Sequence, residues 1–516
     1  GTVARHHYRY FKFHVEHPAD VTITLTPLTA DVDLYISNVD LHPTKDIRYH
    51  RPVRHNESWW STRSGMRVDE VTIKNAPSPY EYIIGVYGWA SNASFTIQGQ
   101  SSDDKLVGLD QGLPQGGEVD RGGWKYYRVM APAHRGGKLR IVSSTSEGEI
   151  KMYANKCVGR DCLGGSNEKR PGKTPYTPPD SMCDYNSANS FNGASLSIDV
   201  AAHDADGESI AYIVGVYGVA SHSEYTLTAL VSGTGGHSIM TLQAGVAVSD
   251  FVLKKNYSYY RFQVMEPHKD LSIVVTPFSG DPDVYVSTQN SYPDRHTHTW
   301  SHRSLGTDIL SIRENDPLVT CHPDKIAEGV CEYFISVEGY EDAATYTIMA
   351  YLHDNTPITL QRGIPQTGHV NETEGMYYTF TLNNKKENLQ ITLTPNDDGD
   401  PDLYVLLGQM NATNMISRVN KDYKSTNWRE TETILINHAS PLFKSRCPID
   451  VNAAADWSCQ INIFVYGYST SSFDIVVASD DRPVRLRNWR ALPATVEAKD
   501  VEFFEFYVDS AGYDTF

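Results

Sequence analysis

The sequence predicts an all-β protein: four tandem antiparallel β-sandwiches of jelly-roll type, followed by an incomplete fifth repeat. Three observations predict it. A phrase recurs along the chain with fixed internal spacing. Apolar and polar residues alternate over short runs bounded by Gly, Asn, Asp and Pro, the signature of strands with one wet face. The composition, 40% hydrophobic and 21% charged with 32 Tyr, suits such strands better than long charged helices. At 516 residues the chain exceeds what one hydrophobic core can cover, so several domains of roughly 100–150 residues are expected.

The recurring phrase is Leu, three residues to Gly, seven to Val, and seven to an aromatic that begins an alternating strand. It reads Leu109, Gly112, Val119, Tyr126; then Leu242, Gly245, Val252, Tyr259; then Leu360, Gly363, Val370, Tyr377. At the tail it reads Leu486, Trp489, Val496, Phe503, with Trp in place of Gly. At the head only Val3 and Tyr10 are present. The aromatic anchors stand 116, 133, 118 and 126 residues apart, one domain per period. The division this implies is 1–100, 101–232, 233–353 and 354–480, with 481–516 as terminal strands of a further repeat.

A second strand follows in each period, and then a short acidic phrase: DVDLYIS from Asp31, EIKMYAN from Glu149, DPDVYVS from Asp281 and DPDLYVL from Asp400. After a variable middle section a hairpin of the type IIGVYGWASNASFTI closes the unit. Helices have almost no place in this pattern. The Gly-Asp-x-Asp-Leu-Tyr-Val strand, best kept from Gly280 and Gly399, the closing Val-Tyr-Gly hairpin and the Leu-x-x-Gly strand together resemble the bacterial pre-peptidase C-terminal domain. That resemblance implies a secreted β-sandwich module appended to extracellular enzymes. It spans all four periods, although the second departs from it with Glu149 and Lys151 at the aspartate positions and a Cys- and Pro-rich insert. It says little about a ligand, because such modules are joined to unrelated proteins.

The formal charge of −18 would repel phosphate backbones, so nucleic acid is not an expected partner. No apolar run reaches membrane-span length, and no charged-then-apolar leader precedes Gly1, which reads as a mature chain or a fragment. Cys331 and Cys459 each lie six residues before the hairpin Val, at Val337 and Val465. With their upstream neighbours they predict the disulfides Cys321–Cys331 and Cys447–Cys459, each stabilising by about 2.5–3 kcal/mol on the loop-entropy estimate. Recurrence at one structural address implies an oxidising, extracellular or cell-surface compartment. Of Cys157, Cys162 and Cys183 one is left over, with Cys157–Cys162 and Cys157–Cys183 both open as pairings. Five sequons, at Asn56, Asn92, Asn256, Asn371 and Asn411, fall in expected loops or hairpin tips and mark N-glycosylation candidates.

Catalytic signatures are missing: no Gly-x-Ser-x-Gly, no His-Glu-x-x-His, no phosphate-cradling Gly loop and no paired CxxC. No enzyme and no required cofactor are therefore expected. Asp281 with Asp283, and Asp400 with Asp402, sit two apart on a strand and so project from one side. With Asp31 and Asp33, or Asp69 and Asp308, in related positions they are candidate Ca²⁺ ligands, although calcium wants six to eight oxygens. The plainer reading is a capped turn and a bond to a neighbouring loop. His296, His298 and His302 at even spacing would share one face of an extended strand, a weak transition-metal signal against a solvated face beside a buried Trp300. Trp60, Trp300 and Trp428 read as core plugs at related positions rather than as sugar platforms.

The head lacks the Leu-x-x-Gly strand and the tail carries a surplus one. An open sheet edge and an unpaired strand are both unfavourable alone, because backbone groups stay unsatisfied. The array therefore either continues along one polypeptide or joins copies by strand addition, in a heterologous contact that does not close. The leading expectation is a structural protomer of an extracellular fibre or surface appendage, its copies joined head-to-tail through residues such as Val3, Tyr10, Leu486, Trp489, Val496 and Phe503. The rivals are accessory substrate- or glycan-binding modules of a larger secreted hydrolase, or an adhesin.

Overall fold

The computed structural model describes the chain apart from residues 39–58, 77–79, 90, 102–105, 131–136, 159–169, 172–182, 188–194, 201–209, 234–236, 266–268, 320–329, 341, 355, 411–414, 449–456, 480–482, 488–489, 495–502 and 507–516. The predicted all-β class holds. The third unit is the clearest: β1 (Ile239–Thr241), β2 (Val248–Val252), β3 (Tyr257–Val264), β4 (Leu271–Ser279), β5 (Pro282–Ser287), β6 (Trp300–His302), β7 (Asp308–Ile312), β8 (Cys331–Gly339) and β9 (Ala344–Leu352). They form two sheets, ordered β1-β3-β8-β5-β6 and β2-β9-β4-β7. Every pairing is antiparallel except that of β1, which runs parallel to β3 with Met240 opposite Tyr260.

Three further units repeat this plan. The second runs from the short lead-in strand Val107–Gly108 to His222–Gly233, and the fourth from Ile358–Thr359 to Ser471–Ser479. The first, from Thr2–Val3 to Ala93–Ser101, has both sheets but no counterpart of β1, so Tyr8–Val15 is an edge strand among the described residues. The single described helix, Pro441–Arg446, is capped by Ser440, whose hydroxyl accepts from the Phe443 N–H. No helix among the described residues is long and apolar enough to cross a membrane.

Period-two alternation explains the burial. On β3, Tyr260, Phe262 and Val264 turn inward, and on β9, Tyr346, Ile348 and Ala350 meet them. The same inter-sheet aromatic pair recurs in every unit: Phe11 with Phe95, Tyr127 with Tyr225, Tyr260 with Tyr346, and Tyr378 with Phe473. Where both are Tyr the hydroxyls bond each other, at 2.8 Å in unit 2 and 2.7 Å in unit 3, so burial leaves no polar tip unpaired. Full burial of one such apolar side chain is worth about 1.5–3 kcal/mol. A sandwich core therefore outweighs a single disulfide.

The units are joined by the recurring phrase itself. Gly112, Gly245 and Gly363 lie in the left-handed region with φ of 73°, 65° and 69°. Each donates its N–H to the last strand of its own unit, at Ala229, Ala350 and Val477. Each then accepts, through its carbonyl, from the lead-in strand of the next unit: Thr241 N at 2.8 Å, Thr359 N at 2.9 Å and Arg485 N at 2.9 Å. The residue after each phrase Leu reaches one unit further back. Gln243 Nε2 donates to Pro27 O of unit 1 at 2.7 Å, Gln361 Nε2 to Ser144 Oγ of unit 2 at 2.9 Å, and Arg487 Nε to Pro277 O of unit 3 at 3.1 Å. Each of these three lead-in segments thus touches three successive units.

The ends differ from expectation. The tail strand is not unpaired: Val484–Arg485 runs parallel to Phe504–Glu505, in the register β1 keeps with β3, and the Arg485 guanidinium bonds Glu505 at 2.7 Å. A strand covered on one side by its own aromatic successor satisfies its backbone locally, which sequence complementarity with the head did not reveal. Val3 is likewise committed, buried in unit 1 and paired with Ala93. Leu486 is half-buried, Phe503 is exposed, and Tyr10 lies on the unit 1 edge strand. Trp489 and Val496 fall outside the described residues.

A β-carbon at position 112 would lie 2.3 Å from the Ile239 carbonyl, on a backbone that side chains rarely adopt. Gly112→Ala is therefore expected to cost about 1–3 kcal/mol at the joint between units 2 and 3. Calorimetry of the variant should show units 2 and 3 melting separately where the parent melts them together, and limited proteolysis should cut between them.

Candidate functional site

In units 1, 3 and 4 the acidic phrase converges with the turn between the strands that correspond to β6 and β7. In unit 3, Asp281 Oδ1 accepts from Gly306 N at 3.1 Å, and Asp308 Oδ1 accepts from Ser304 N at 3.0 Å with His302 Nδ1 at 2.5 Å. In unit 4, Asp400 Oδ1 accepts from Arg429 N at 2.8 Å, and Glu432 accepts from Asn427 N and Ser425 Oγ. In unit 1, Asp69 Oδ1 accepts from Ser61 Oγ at 2.5 Å and Arg63 N at 2.9 Å, while the Gly65 backbone N–H acts on Asp31. Two acids in each of units 1, 3 and 4 therefore pin one loop. The pinned tips turn through positive φ at Gly65, Gly306 and Arg429, and present Ser64, Leu305 and Trp428 just before them.

The second aspartate of each phrase has a different task. Tyr35, Tyr285 and Tyr404, two residues on and on the same face, donate their hydroxyls to Asp33, Asp283 and Asp402 at 3.2, 3.2 and 3.0 Å. Burial, then the charge of Asp308, pushes Asp283 up to about 6. Burial likewise raises Asp308, Asp402 and Glu432. In unit 1 burial, then Asp33, pushes Asp31 up to about 8, and Asp69 rises well above the carboxylate range for the same reason. Asp31 Oδ1 and Asp69 Oδ2 are buried there without a hydrogen-bond partner.

No group of three or more His, Cys, Asp or Glu among the described residues is arranged to hold a metal ion. Of the candidate calcium residues, Asp31, Asp281 and Asp400 hold the loop, while Asp33, Asp283 and Asp402 accept from tyrosine hydroxyls. The histidine reading is corrected: Asp294 Oδ1 takes the N–H groups of His296 and Thr297, both at 2.7 Å, so the chain bends instead of extending. His298 then packs at a tilt against Tyr285 and His302 turns to Asp308. The tryptophans do not share one position either. Trp300 packs on Tyr333 with its Nε1 donating to Asp316, whereas Trp60 and Trp428 are 59% and 65% exposed.

Cys447 and Cys459 form the predicted disulfide with Cα atoms 5.5 Å apart. Cys157 and Cys331 are also disulfide-bonded; Cys162 and Cys321 lie outside the described residues, and Cys183 is half-buried. Among the sequons, Asn256 and Asn371 are exposed in the turn between the second and third strands of their units. Asn92, half-buried, accepts from Arg5 N at 2.9 Å across the same end of unit 1. Asn56 and Asn411 lie outside the described residues.

The pinned loop of unit 4 borders a cleft of about 670 Å³ lined by Asp402, Tyr404, Arg418, Lys424, Trp428 and Tyr468 among others. Trp428 meets Tyr468 edge to face, with centroids 5.8 Å apart and planes at 72°. Arg418 stacks on Tyr466 at 4.3 Å. Sequence reasoning passed over this corner. The residue after the closing Val-x-Gly is aromatic in units 1, 3 and 4, as Trp89, Tyr340 and Tyr468, and Val219 in unit 2, the unit without the aspartates; that co-occurrence was the available signal. No protein-family model matches the chain, and no curated protein matches it.

Two outcomes are expected. Asp31 has a folded pKa far above its unfolded value, so the stability it contributes is complete below about pH 4 and is lost as pH rises through about 8. Asp31→Asn should therefore melt higher than the parent at pH 9 and equal to it at pH 4, in scans run with calcium and with EDTA to read whether an ion joins. Asp400→Ala removes a charge-assisted bond of about 1.5–3 kcal/mol, so hydrogen exchange at the Arg429 amide should quicken while strand amides of unit 4 keep their protection.

Proposed function

We propose that the chain is a non-catalytic structural protomer of an extracellular fibre or surface appendage, glycosylated and disulfide-bonded, whose copies assemble head-to-tail through β-strand contacts. The observation that supports this reading most is the three-unit joint. Gln243, Gln361 and Arg487 each bond the unit two places back, and Asn383 Nδ2 of unit 4 reaches His222 O of unit 2 at 3.0 Å. Modules strung for independent binding need no such bonds. A rod that must carry tension does, because each joint then resists bending about a single hinge. The repeat's likeness to the pre-peptidase C-terminal module belongs to the same reading, with the module used as a building block.

Assembly would reuse the lead-in geometry. Units 2 to 4 each cover the edge of their third strand with a parallel lead-in strand, and among the described residues no strand pairs along that edge of Tyr8–Val15 in unit 1. In the proposed contact the tail strand of one copy exchanges its own partner, Phe504–Glu505, for Phe11–Lys12 of the next. The Arg485–Glu505 ion pair is the contact that exchange must break, and Lys12 would replace an acid with a like charge opposite Arg485.

Electron microscopy and sedimentation of the purified intact protein test this: concentration-dependent linear polymers are expected, and monodisperse monomers at all concentrations would refute it. Glu505→Lys weakens the internal pair and should raise polymer yield, whereas Val484→Pro, which removes the strand N–H that bonds Phe503 O, should abolish it.

A further inference from the structure

The cleft at the end of unit 4 has features that neither the fold nor the joints require. Trp428 stands at a loop tip 65% exposed, although exposing a large aromatic brings no stability. The loop that carries it is nevertheless held on both sides, by Asp400 through Arg429 N and by Glu432 through Asn427 N. A positive φ of 55° at Arg429, a residue type that avoids that region, is kept to make the turn. The protein therefore fixes an exposed indole in one place. Tyr468, 54% exposed, closes the other wall at 72°.

The charges along the cleft point the same way. Arg418, Lys421 and Lys424 line it with Asp400 and Asp402, three cations against two carboxylates in a chain of net charge −18. Both acids already accept bonds, Asp400 from the Arg429 backbone and Asp402 from the Tyr404 hydroxyl. In unit 3 the corresponding cation, Arg295, lies 3.8 Å from both Asp283 and Glu338 and covers Tyr340 at 4.5 Å, and the tip residue there is Leu305. Among the described residues, the tip of unit 4 alone combines an aromatic with surplus positive charge.

We propose that this cleft binds an anionic saccharide, one pyranose ring stacking in the Trp428–Tyr468 corner and its carboxylate or sulfate lying toward Lys424 and Arg418. A sugar ring offers an apolar C–H face to an aromatic and a polar rim to flanking donors and acceptors, which matches this lining. The volume, about 670 Å³, falls within the range of small-ligand sites. An acidic peptide would want a strand edge or an apolar anchor pocket, and Val419 is the only aliphatic side chain in the lining. The inference stands whether or not copies polymerise.

Titration calorimetry of the full chain with oligogalacturonate, a heparin-derived hexasaccharide, cellohexaose and polyglutamate tests it. At least one of the first two should bind, the choice distinguishing carboxylate from sulfate. Trp428→Ala should weaken that binding about tenfold or more, and Lys424→Gln should weaken it several-fold and flatten its salt dependence. Leu305→Ala, at the matching tip of unit 3, should change nothing. The proposal is overturned if neither anionic saccharide binds, if cellohexaose or polyglutamate binds as tightly, or if Trp428→Ala leaves affinity intact in a variant whose melting profile matches the parent.

Discussion

The hydrogen bond from each lead-in strand to the left-handed glycine of the unit before it is the constraint on which the arrangement of this chain depends. Gly112, Gly245 and Gly363 face two ways, toward the last strand of their own sandwich and toward the first strand of the next. All three turn through positive φ, and at Gly112 and Gly363 a β-carbon would also lie 2.3 and 2.7 Å from the Ile239 and Pro483 carbonyls. Because the lead-in strand also pairs with the third strand of its own unit, one short segment closes a sheet and sets a joint together. Folding of one unit is thereby tied to the placement of its neighbours.

Polar chemistry at the joints reinforces this tie. Between units 1 and 2 the buried Glu224 carboxylate receives Arg67 at 2.8 Å, Arg63 at 3.1 Å and the Val68 N–H at 2.9 Å. Burial alone would raise its pKa, but the two arginines outweigh burial and hold it below the usual range. Between units 2 and 3 the Arg140–Asp250 pair continues through the Tyr260 hydroxyl, 2.5 Å from Asp250, to Tyr346 in the core. The inter-sheet aromatic pair is thus wired to the joint in unit 3. Buried ion pairs stabilise little in net terms but cost much when one partner is removed, so they fix geometry more than they add strength.

The acid-pinned turns of units 1, 3 and 4 follow another logic. There the acids lie at the surface ends of strands and hold loops, and what differs between units is the residue at the loop tip: Ser64, Leu305, Trp428. A rigid frame with variable tips is the arrangement in which binding residues are ordinarily found. Unit 2 has Glu149 and Lys151 in place of the aspartates and Val219 in place of the aromatic after its hairpin. In units 1 and 3 the pinned turn also serves a joint, since Arg63 and Arg67 reach Glu224 of unit 2 and Thr307 accepts from Arg487 of the tail.

Much of this was legible from residue order. Strand period, the spacing of Leu, Gly, Val and aromatic, and the short loop between Cys447 and Cys459 are local or repeating signals, each written in residues close together in the chain. The sequence by itself determined the all-β class, the repeat and the glycine positions, because hydrophobic alternation and a required positive φ are written in single residues and their neighbours. Tertiary structure alone decided that the tail strand pairs with Phe504–Glu505, that the lead-in residues reach two units back, that His296 bends away from a common face, and that Trp428 stands at a pinned tip while Trp300 is packed inside. Those outcomes depend on which groups meet across hundreds of residues, and a carboxylate such as Asp400 or Asp294 chooses its backbone partner only once the fold has brought both together.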